Sequence, residues 1–478
     1  MNRLYYGDCL TIMQDMPMNS VDLVYLDPPF NSNREYAAIY KDETGQPLPD
    51  QIEAFNDLWV LDEDRERAIR NMPIVMRDAG IEDDVAEFWR IWMNALRKTQ
   101  PRLLAYLSYM TERLLPLRRI LKPTGSIYLH CDPTASHYIK AMMDAVFGHK
   151  NFGNEIIWHY KRWPAGYKNF QRMHDVILRY RRSDSSVFNV QYQPYSEKTT
   201  HRKISVDGKT DLSATRDSQK GTKMDDVWDI PYLHSQSKER LGYATQKPVA
   251  LLERIIRASS NHGDIVFDPF CGCATTIEAA HLLGRQWIGI DIAIHAIKRV
   301  AKVRLEDRLG LKEGHDFTIE GVPHTLEGAQ DLWIRDKHHF QKWAIEAIDG
   351  FVTTRKTGDG GIDGRLYFSL PNIRDLQSMV LEVKGGKNIN VNIVRDLRGV
   401  LERDDALMAG LIIMNNLGPR KTANFKQEMA TAGDLEVNGV WYPRMQMLTV
   451  REILEGKRFI TPSVARGKSQ SQPTLPLG

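Results

Sequence analysis

Asp264-Ile265-Val266-Phe267-Asp268-Pro269-Phe270-Cys271-Gly272-Cys273-Ala274-Thr275-Thr276 is the stretch whose reading decides the fold. An apolar run closes on Asp268, a turn of small residues follows, and a helix begins at Thr275. Small residues let the backbone approach a ligand closely at a helix N-terminus, where unpaired N–H groups point outward. The next apolar run closes on Gly289-Ile290-Asp291, about twenty residues on. In nucleotide-binding α/β units, an acid placed there meets ribose hydroxyls. The turn is not Gly-x-Gly-x-x-Gly, which argues against a pyrophosphate. A nucleoside-bearing cofactor without one fits better, and S-adenosylmethionine is the obvious candidate. The competing reading is a tight strand–helix corner with no ligand.

Working outward, strand-like runs lie at Val21–Leu26, Ser126–Cys131, Glu155–Tyr160, Asp175–Arg182, Ile265–Phe267 and Trp287–Ile292. Helix-like runs lie between them, at Val85–Lys98, Arg102–Leu121, Thr134–Phe147, Pro248–Ser259, Thr275–Leu283 and Ala293–Leu309, with Gly148, Gly284 and Gly310 at helix ends. This alternation predicts an α/β domain with a doubly wound, mostly parallel, Rossmann-like sheet over residues 1–310. Residues 183–230 are polar and break the rhythm, which reads as an insertion. A connector is expected at 311–330. A second, smaller α/β domain follows at 331–460: helix Leu332–Ile348, strands Gly364–Leu370 and Met379–Lys384, helix Ile393–Arg403, strand Ala409–Asn415 and helix Thr422–Ala432. Residues 461–478 read as a disordered tail.

The 478 residues are 42% apolar and 26% charged, with a net charge of +3, a composition that fits two or three folded domains. No run of eighteen apolar residues is present and Met1–Asp8 has no signal-peptide core, so the expectation is a cytoplasmic protein without a membrane partner. Four cysteines are too few for a disulfide framework, and the Cys271-x-Cys273 pair is a poor zinc signature. The small net charge hides asymmetry. Residues 42–90 hold fourteen Asp/Glu against five Lys/Arg, and residues 161–223 hold fourteen Lys/Arg against six Asp/Glu. The basic segment is where nucleic acid would bind, through Lys161, Arg162, Lys168, Arg172, Arg202 and Lys203; the plain alternative is a solvated face. The acidic segment belongs to a helical insert at about 42–100, whose Val85, Phe88, Trp89, Trp92 and Leu96 fit a buried helix face.

Asp27-Pro28-Pro29-Phe30 follows directly on the run Val21–Leu26. Ligands of open α/β sheets bind at the carboxyl ends of strands. A carboxylate, a carbonyl fixed by two prolines and an aromatic ring there can grip a planar, amino-bearing base. Asp27 and the Pro28 carbonyl would accept its two N–H hydrogens while Phe30 stacks on its face. An exocyclic amine conjugated into the ring is a poor nucleophile, and two acceptors on its hydrogens return electron density to nitrogen. The simpler reading is a rigid turn at the end of a strand.

Together and in this order, the two constellations resemble the β class of amino-group DNA methyltransferases, with its permuted arrangement, over roughly Asn2–Arg308. Gly7-Asp8-Cys9-Leu10, Ser20-Val21-Asp22-Leu23-Val24, Leu121-Lys122-Pro123-Thr124-Gly125-Ser126, Thr245-Gln246-Lys247-Pro248 and Phe270-Cys271-Gly272-Cys273-Ala274 are similar to its successive motifs, with Ala274 in place of the last glycine. The resemblance implies catalysis through Asp27, Pro28, Pro29 and Phe30. It places S-adenosylmethionine against Asp8, Cys9, Thr245, Lys247, Pro248, Asp268, Pro269, Phe270, Gly272, Thr275, Thr276 and Asp291. It also implies a target-recognition segment at about 163–232, a flipped-out base in double-stranded DNA, and a homodimer or other restriction-system subunits as partners. The family's adenine enzymes favour Asp at the first catalytic position and its cytosine enzymes Ser, so Asp27 tilts toward adenine.

In the second domain, Gly360-Gly361-Ile362-Asp363-Gly364 precedes one strand and Leu381-Glu382-Val383-Lys384 lies on the next, where Glu382 and Lys384 share a face. Asp363 and Glu382 could hold Mg²⁺, with Lys384 beside the water or the developing charge. This resembles the PD-(D/E)xK restriction-endonuclease fold, in particular Mrr-like domains, over about Asp331–Gly433, with Gln341 at a position often near the metal. The alternative is a DNA-binding or docking module that does not cleave. His338 and His339 read as helix capping or solvation, and Trp287, Trp333 and Trp343 as core.

Overall fold

The computed structural model describes residues 2–29, 59, 61–162, 170–194, 205–206, 209–210, 221–234, 237–241, 246–294, 296–353, 362–370, 377–386, 389–404 and 406–462. They form two compact units that divide between Glu320 and Gly321. The first contains β1 (Asn2–Tyr6), α1 (Cys9–Asp15), β2 (Val21–Leu26), α2 (Glu63–Asp78), α3 (Asp83–Thr99), α4 (Pro101–Ile120), β3 (Leu121–Cys131), α5 (Ser136–Phe147), β4 (Phe152–His159), β5 (His174–Arg181), β6 (Val227–Asp229), α6 (Val249–Ser259), β7 (Ile265–Asp268), α7 (Thr275–Leu282), β8 (Gln286–Asp291) and β9 (Phe317–Glu320).

These nine strands make one sheet in the order β6-β4-β5-β3-β2-β7-β8-β1-β9. All neighbours are parallel except at β5, which runs antiparallel to both β3 and β4. The mostly parallel sheet expected from the alternating runs is present. β2 is buried at every position, as a strand covered on both faces must be. Its one charge, Asp22, is tolerated because it is paired: Lys122 Nζ lies 2.8 Å from its carboxylate and the Ile265 N–H donates to it at 2.9 Å.

Residues 42–58 and 60 of the acidic block lie outside the described residues; the rest of it includes α2 and the first half of α3. Asp62 caps α2 by accepting from the Arg65 N–H at 2.8 Å, and Glu63, Asp64 and Glu66 follow in the first turn, where the helix dipole favours them. The buried stripe of α3 is Ala86, Trp89, Met93 and Leu96. Phe88, expected in that stripe, is 51% exposed, because one residue along a helix turns a side chain by about 100°. It stacks on Trp92 instead, with ring centroids 5.9 Å apart.

Four further expectations are corrected. β1 is absent from the expected strands, yet it lies between β8 and β9. The polar stretch 183–230 is not wholly an insertion: its end is β6, which pairs with β4 and extends the main sheet. The helix expected at Ala293–Leu309 is π-helical over Ala296–Ala301 and Arg304–Arg308. The connector expected at 311–330 instead contains β9, paired with β1, and half of a helix, so little of it is free chain.

The second unit holds α8 (Leu326–Arg335), α9 (Lys337–Glu346), β10 (Phe351–Val352), β11 (Gly364–Phe368), β12 (Gln377–Lys384), α10 (Asn392–Arg403), β13 (Met408–Ile413), α11 (Pro419–Ala430), β14 (Asp434–Val437), β15 (Val440–Pro443), β16 (Met445–Thr449) and α12 (Val450–Leu454). Its sheet runs β10-β11-β12-β13-β16, antiparallel up to β12 and parallel beyond it. The single helix expected at Leu332–Ile348 is two, because Asp336 turns extended and caps α9 by accepting from the His339 N–H at 2.9 Å. Trp287 and Trp343 are fully buried, whereas Trp333 is half-buried against Phe340.

Trp89 has no exposed surface, and its Nε1 donates to Thr111 Oγ1 on α4 at 3.1 Å. Trp89→Ala is expected to cost about 3–5 kcal/mol of stability, and Phe88→Ala no more than about 1 kcal/mol. Urea denaturation of the two variants side by side checks the order.

Candidate active site

β2, β7, β8 and β1 are neighbours and all parallel, so their carboxyl ends meet along one edge. The residues at those ends are Asp27, Asp268, Asp291 and the Gly7-Asp8 pair. Four carboxylates from four separate stretches of sequence therefore converge at the position where doubly wound sheets bind ligands.

Each carboxylate is held differently. Asp291 Oδ2 accepts from the Gly272 N–H at 2.9 Å and Oδ1 from the Ala293 N–H at 2.8 Å, while its carbonyl accepts from the Gly7 N–H at 3.0 Å. It thus ties the small-residue turn to the loop after β1. Asp8 caps α1, accepting from the Leu10 N–H at 3.0 Å, and pairs with Arg113 at 2.8 Å. The Arg113 guanidinium lies 3.4 Å over the Tyr109 ring. Cys9 is buried beside them, and burial pushes its thiol up to about 12, with the Arg113 charge opposing this. Gly272 and Ala274 both have positive φ, 48° and 60°. Ala274, which stands where the resembling motif has glycine, carries a left-handed strain of about 1–2 kcal/mol. Thr275 and Thr276 are buried at the start of α7, Pro28 and Pro269 are buried, and Pro29 and Phe270 are half-buried. Phe30 and Thr245 lie outside the described residues.

Lys247, which the sequence reading sets beside the cofactor, forms an ion pair with Asp27 Oδ2. The segment carrying it is clamped by Gln246 of the same motif and by Glu239, Arg304 and Arg308, which no motif marks. Gln246 accepts from the Leu241 N–H and donates to the Glu239 carbonyl, each at 2.8 Å, and Glu239 Oε1 accepts from the Val249 N–H at 2.7 Å. Arg308 donates to the Lys238 and Glu239 carbonyls at 2.9 and 3.0 Å, and the buried Arg304 pairs with Glu278.

Of the basic residues, Lys161, Arg162 and Arg172 are exposed, while Lys168, Arg202 and Lys203 lie outside the described residues. The Arg162 guanidinium stands 4.6 Å over the Tyr160 ring and 5.4 Å from that of Tyr232. Arg172 donates to Thr134 Oγ1 at 3.1 Å.

In the second unit, Asp363, Glu382, Lys384 and Gln341 come together. Asp363 Oδ2 accepts from the Val383 N–H at 2.7 Å, and Gln341 Nε2 lies 3.4 Å from Oδ1. Glu382 pairs with Lys384 at 2.6 Å. Burial raises the Glu382 carboxyl, Lys384 opposes this, and Asp363 and Asp396 add to it. Among the described residues, no group of three or more His, Cys, Asp or Glu is placed to hold a metal ion.

These features define the first unit as a doubly wound, Rossmann-like α/β domain with an acid-lined site at its carboxyl edge. Residues 21–302, more than half of the chain, match the N6_N4_Mtase family of DNA methylases, and the chain belongs to that family: it is a DNA methyltransferase. It is 26% identical over 325 residues to the type II methyltransferase M.HpaI of Haemophilus parainfluenzae, covering 68% of this chain and 80% of that protein. It is 25% identical over 297 residues to the DNA adenine methyltransferase YhdJ of Escherichia coli K12, covering 62% and 80%. Among solved structures, a DNA modification methylase of Thermus thermophilus complexed with S-adenosyl-L-methionine is 18% identical, covering 67% of this chain and 98% of that one at a TM-score of 0.35. Among the described residues, no helix is long and apolar enough to cross a membrane.

Burial pushes the Asp268 carboxyl up to about 7; the Thr276 hydroxyl and Phe270 N–H resist this, and the Asp27 and Asp291 charges reinforce it. A carboxyl raised above its unfolded value of about 3.9 keeps its proton in the folded state after the unfolded chain has lost it. The stability from that proton is whole below about pH 4 and is lost as pH rises through about 7. Asp268→Asn should remove this part of the pH dependence, read as the difference between variant and parent unfolding free energies across that window.

Proposed function

We propose that the first unit transfers a methyl group from S-adenosylmethionine to the N6 amino group of an adenine flipped out of duplex DNA, at a specific sequence, in a restriction–modification or defence system. The observation that carries this is Asp27 at the end of β2, directly beside the turn that follows β7. The donor set suits the cofactor. Asp8, Asp268 and Asp291 match hydroxyl and ammonium groups, and the left-handed turn at Gly272–Ala274 opens backbone to close approach. S-adenosylmethionine, when bound, supplies an electrophilic methyl group.

The residues of the chain do the rest. Asp27 and the Pro28 carbonyl accept the amino hydrogens of the base, and the two prolines between Asp27 and Phe30 offer no N–H to compete for them. Lys247 holds the Asp27 carboxylate in place until the base arrives; the amino group then takes over as hydrogen-bond donor to it. Asp27 as first catalytic residue and the similarity to an adenine enzyme favour adenine, and transfer to the N4 amino group of cytosine is the second reading. Sequencing of modified bases in DNA from expressing cells separates the two. Asp27→Ala should lower methyl transfer by at least on the order of 10²-fold while cofactor binding persists, since it removes stabilisation that grows in the transition state. Calorimetric titration and a transfer assay on one preparation test this; a full transfer rate would overturn the role of Asp27.

The second unit, in the same reading, is a DNA endonuclease dependent on Mg²⁺. Support comes from the convergence of Gln341, Asp363, Glu382 and Lys384. Two carboxylates are a short donor set, but Mg²⁺ commonly takes one or two carboxylates and completes its shell with water and substrate phosphate. Bound there, the ion would lower the pKa of its water and neutralise developing charge. Incubation of the protein with unmethylated and premethylated DNA, with Mg²⁺ or EDTA, should give cleavage of unmethylated DNA only with the metal, lost in Asp363→Ala and Lys384→Ala. Uncut DNA in every arm would leave this unit as a docking module.

A further inference from the structure

Beneath the carboxyl edge runs a buried line of side chains that the chemistry above does not use. Tyr25 lies on β2, two residues before Asp27, and its Oη is 2.9 Å from Nδ1 of His130 on β3. His130 Nε2 is 3.3 Å from Asp175 Oδ2 on β5, and Tyr160 donates to Asp175 Oδ1 at 3.0 Å. His130 has no exposed surface, and Trp158 of β4 sets its ring edge-on to the imidazole at 5.5 Å. Arg162, two residues beyond Tyr160, covers that ring. The line therefore joins the strand that carries Asp27 to the first basic residues of the DNA-facing segment.

Donor and acceptor roles follow from the groups themselves. Burial would raise the Asp175 carboxyl, but the hydrogen bonds from His130 and Tyr160 and the Lys247 charge hold it down to about 2. An ionised carboxylate only accepts, so His130 Nε2 carries a hydrogen and donates it. Burial keeps Tyr25 a neutral phenol, helped by the Asp27, Asp268 and Asp175 charges. Its O–H can then donate to Nδ1. The line also sits where backbone pairing runs out. Leu26 pairs with Leu129 and Cys131 with Val176 at the last rungs of their ladders. Past Leu26, Pro28 and Pro29 have no N–H with which to continue one. Side chains must fix what the ladder cannot.

We propose that His130 is a positioning residue for methyl transfer: by bridging Tyr25 to Asp175 it fixes the end of β2 from which Asp27 projects. The inference rests on Asp27 as the acceptor for the target amino group. Misplacement of a reacting group by about 1 Å can cost on the order of 10²-fold in rate.

The test uses the full chain, S-adenosylmethionine and unmethylated plasmid DNA, with His130→Leu, His130→Gln, Tyr25→Phe and Asp27→Ala compared by single-turnover transfer rate, DNA KM and cofactor Kd. His130→Leu should lower the transfer rate by about 10- to 100-fold, leaving the cofactor Kd and DNA KM within about twofold. His130→Gln should recover most of the rate, because an amide oxygen and nitrogen bridge the same two partners with the same roles; a structural role alone predicts no such split and no such rescue. A parent-like rate for His130→Leu beside an inactive Asp27→Ala overturns the inference and leaves Asp27 standing. A parent-like rate for Asp27→Ala overturns both. Where His130→Leu does not fold, Tyr25→Phe, which removes one hydroxyl, decides: a several-fold slower transfer supports the line, and an unchanged rate overturns it.

Discussion

The parallel pairing of β2 with β7 is the constraint on which the site depends. Val24 of β2 sits opposite Phe267 of β7, so the Asp27 loop and the small-residue turn leave the sheet side by side although they come from distant parts of the chain. Asp22 fixes that pairing from the other end. It takes the Ile265 N–H, the first of β7, and the ammonium of Lys122, which stands where α4 gives way to β3. An apolar residue there would leave a buried N–H without its partner, at a cost of about 1–3 kcal/mol. One carboxylate thus aligns three strands at the opposite edge from the chemistry.

At the chemical edge the difficulty is reversed, because Asp8, Asp27, Asp268 and Asp291 gather like charges in a partly buried place. The fold relieves this in separate ways. Asp8 has Arg113, Asp27 has Lys247, Asp291 has backbone N–H groups, and Asp268, the most buried, is the one whose proton burial helps to retain. An edge of this kind suits a cationic, hydroxyl-bearing ligand, which would complete the neutralisation that the side chains begin.

The legible parts of the sequence are those where one residue type carries both fold and chemistry. β2, β7 and β8 are apolar runs closing at or just before an Asp, and helix ends at Gly148, Gly284 and Gly310 take positive φ. β1 and β6 escape a reading of the sequence because they are short and half-polar, and only tertiary pairing makes them strands. Asp336 divides one apolar pattern into two helices by a cap that periodicity cannot see. At the site, the clustering of the acids follows from strand ends, but the partner of Lys247 does not, because an ion pair between residues so distant in sequence has no local signature. His130 and Asp175 likewise read as isolated polar residues on apolar strands until the antiparallel turn of β5 brings them together.

The place of β1 bears on the order in which the molecule can assemble. Residues 2–6 leave the ribosome ahead of the other strands of their unit, yet the strands that flank them, β8 and β9, are the last of that unit to be made. A strand in that position must wait, solvated and without its ladder, while most of the sheet is synthesised. Gly7 and Asp8 reach the edge only when β1 docks, and Asp291 is made only with β8. The acidic edge is accordingly completed in a single late step, and a chain interrupted before β8 carries the Asp27 loop and the turn after β7 without Asp291 or a docked Asp8.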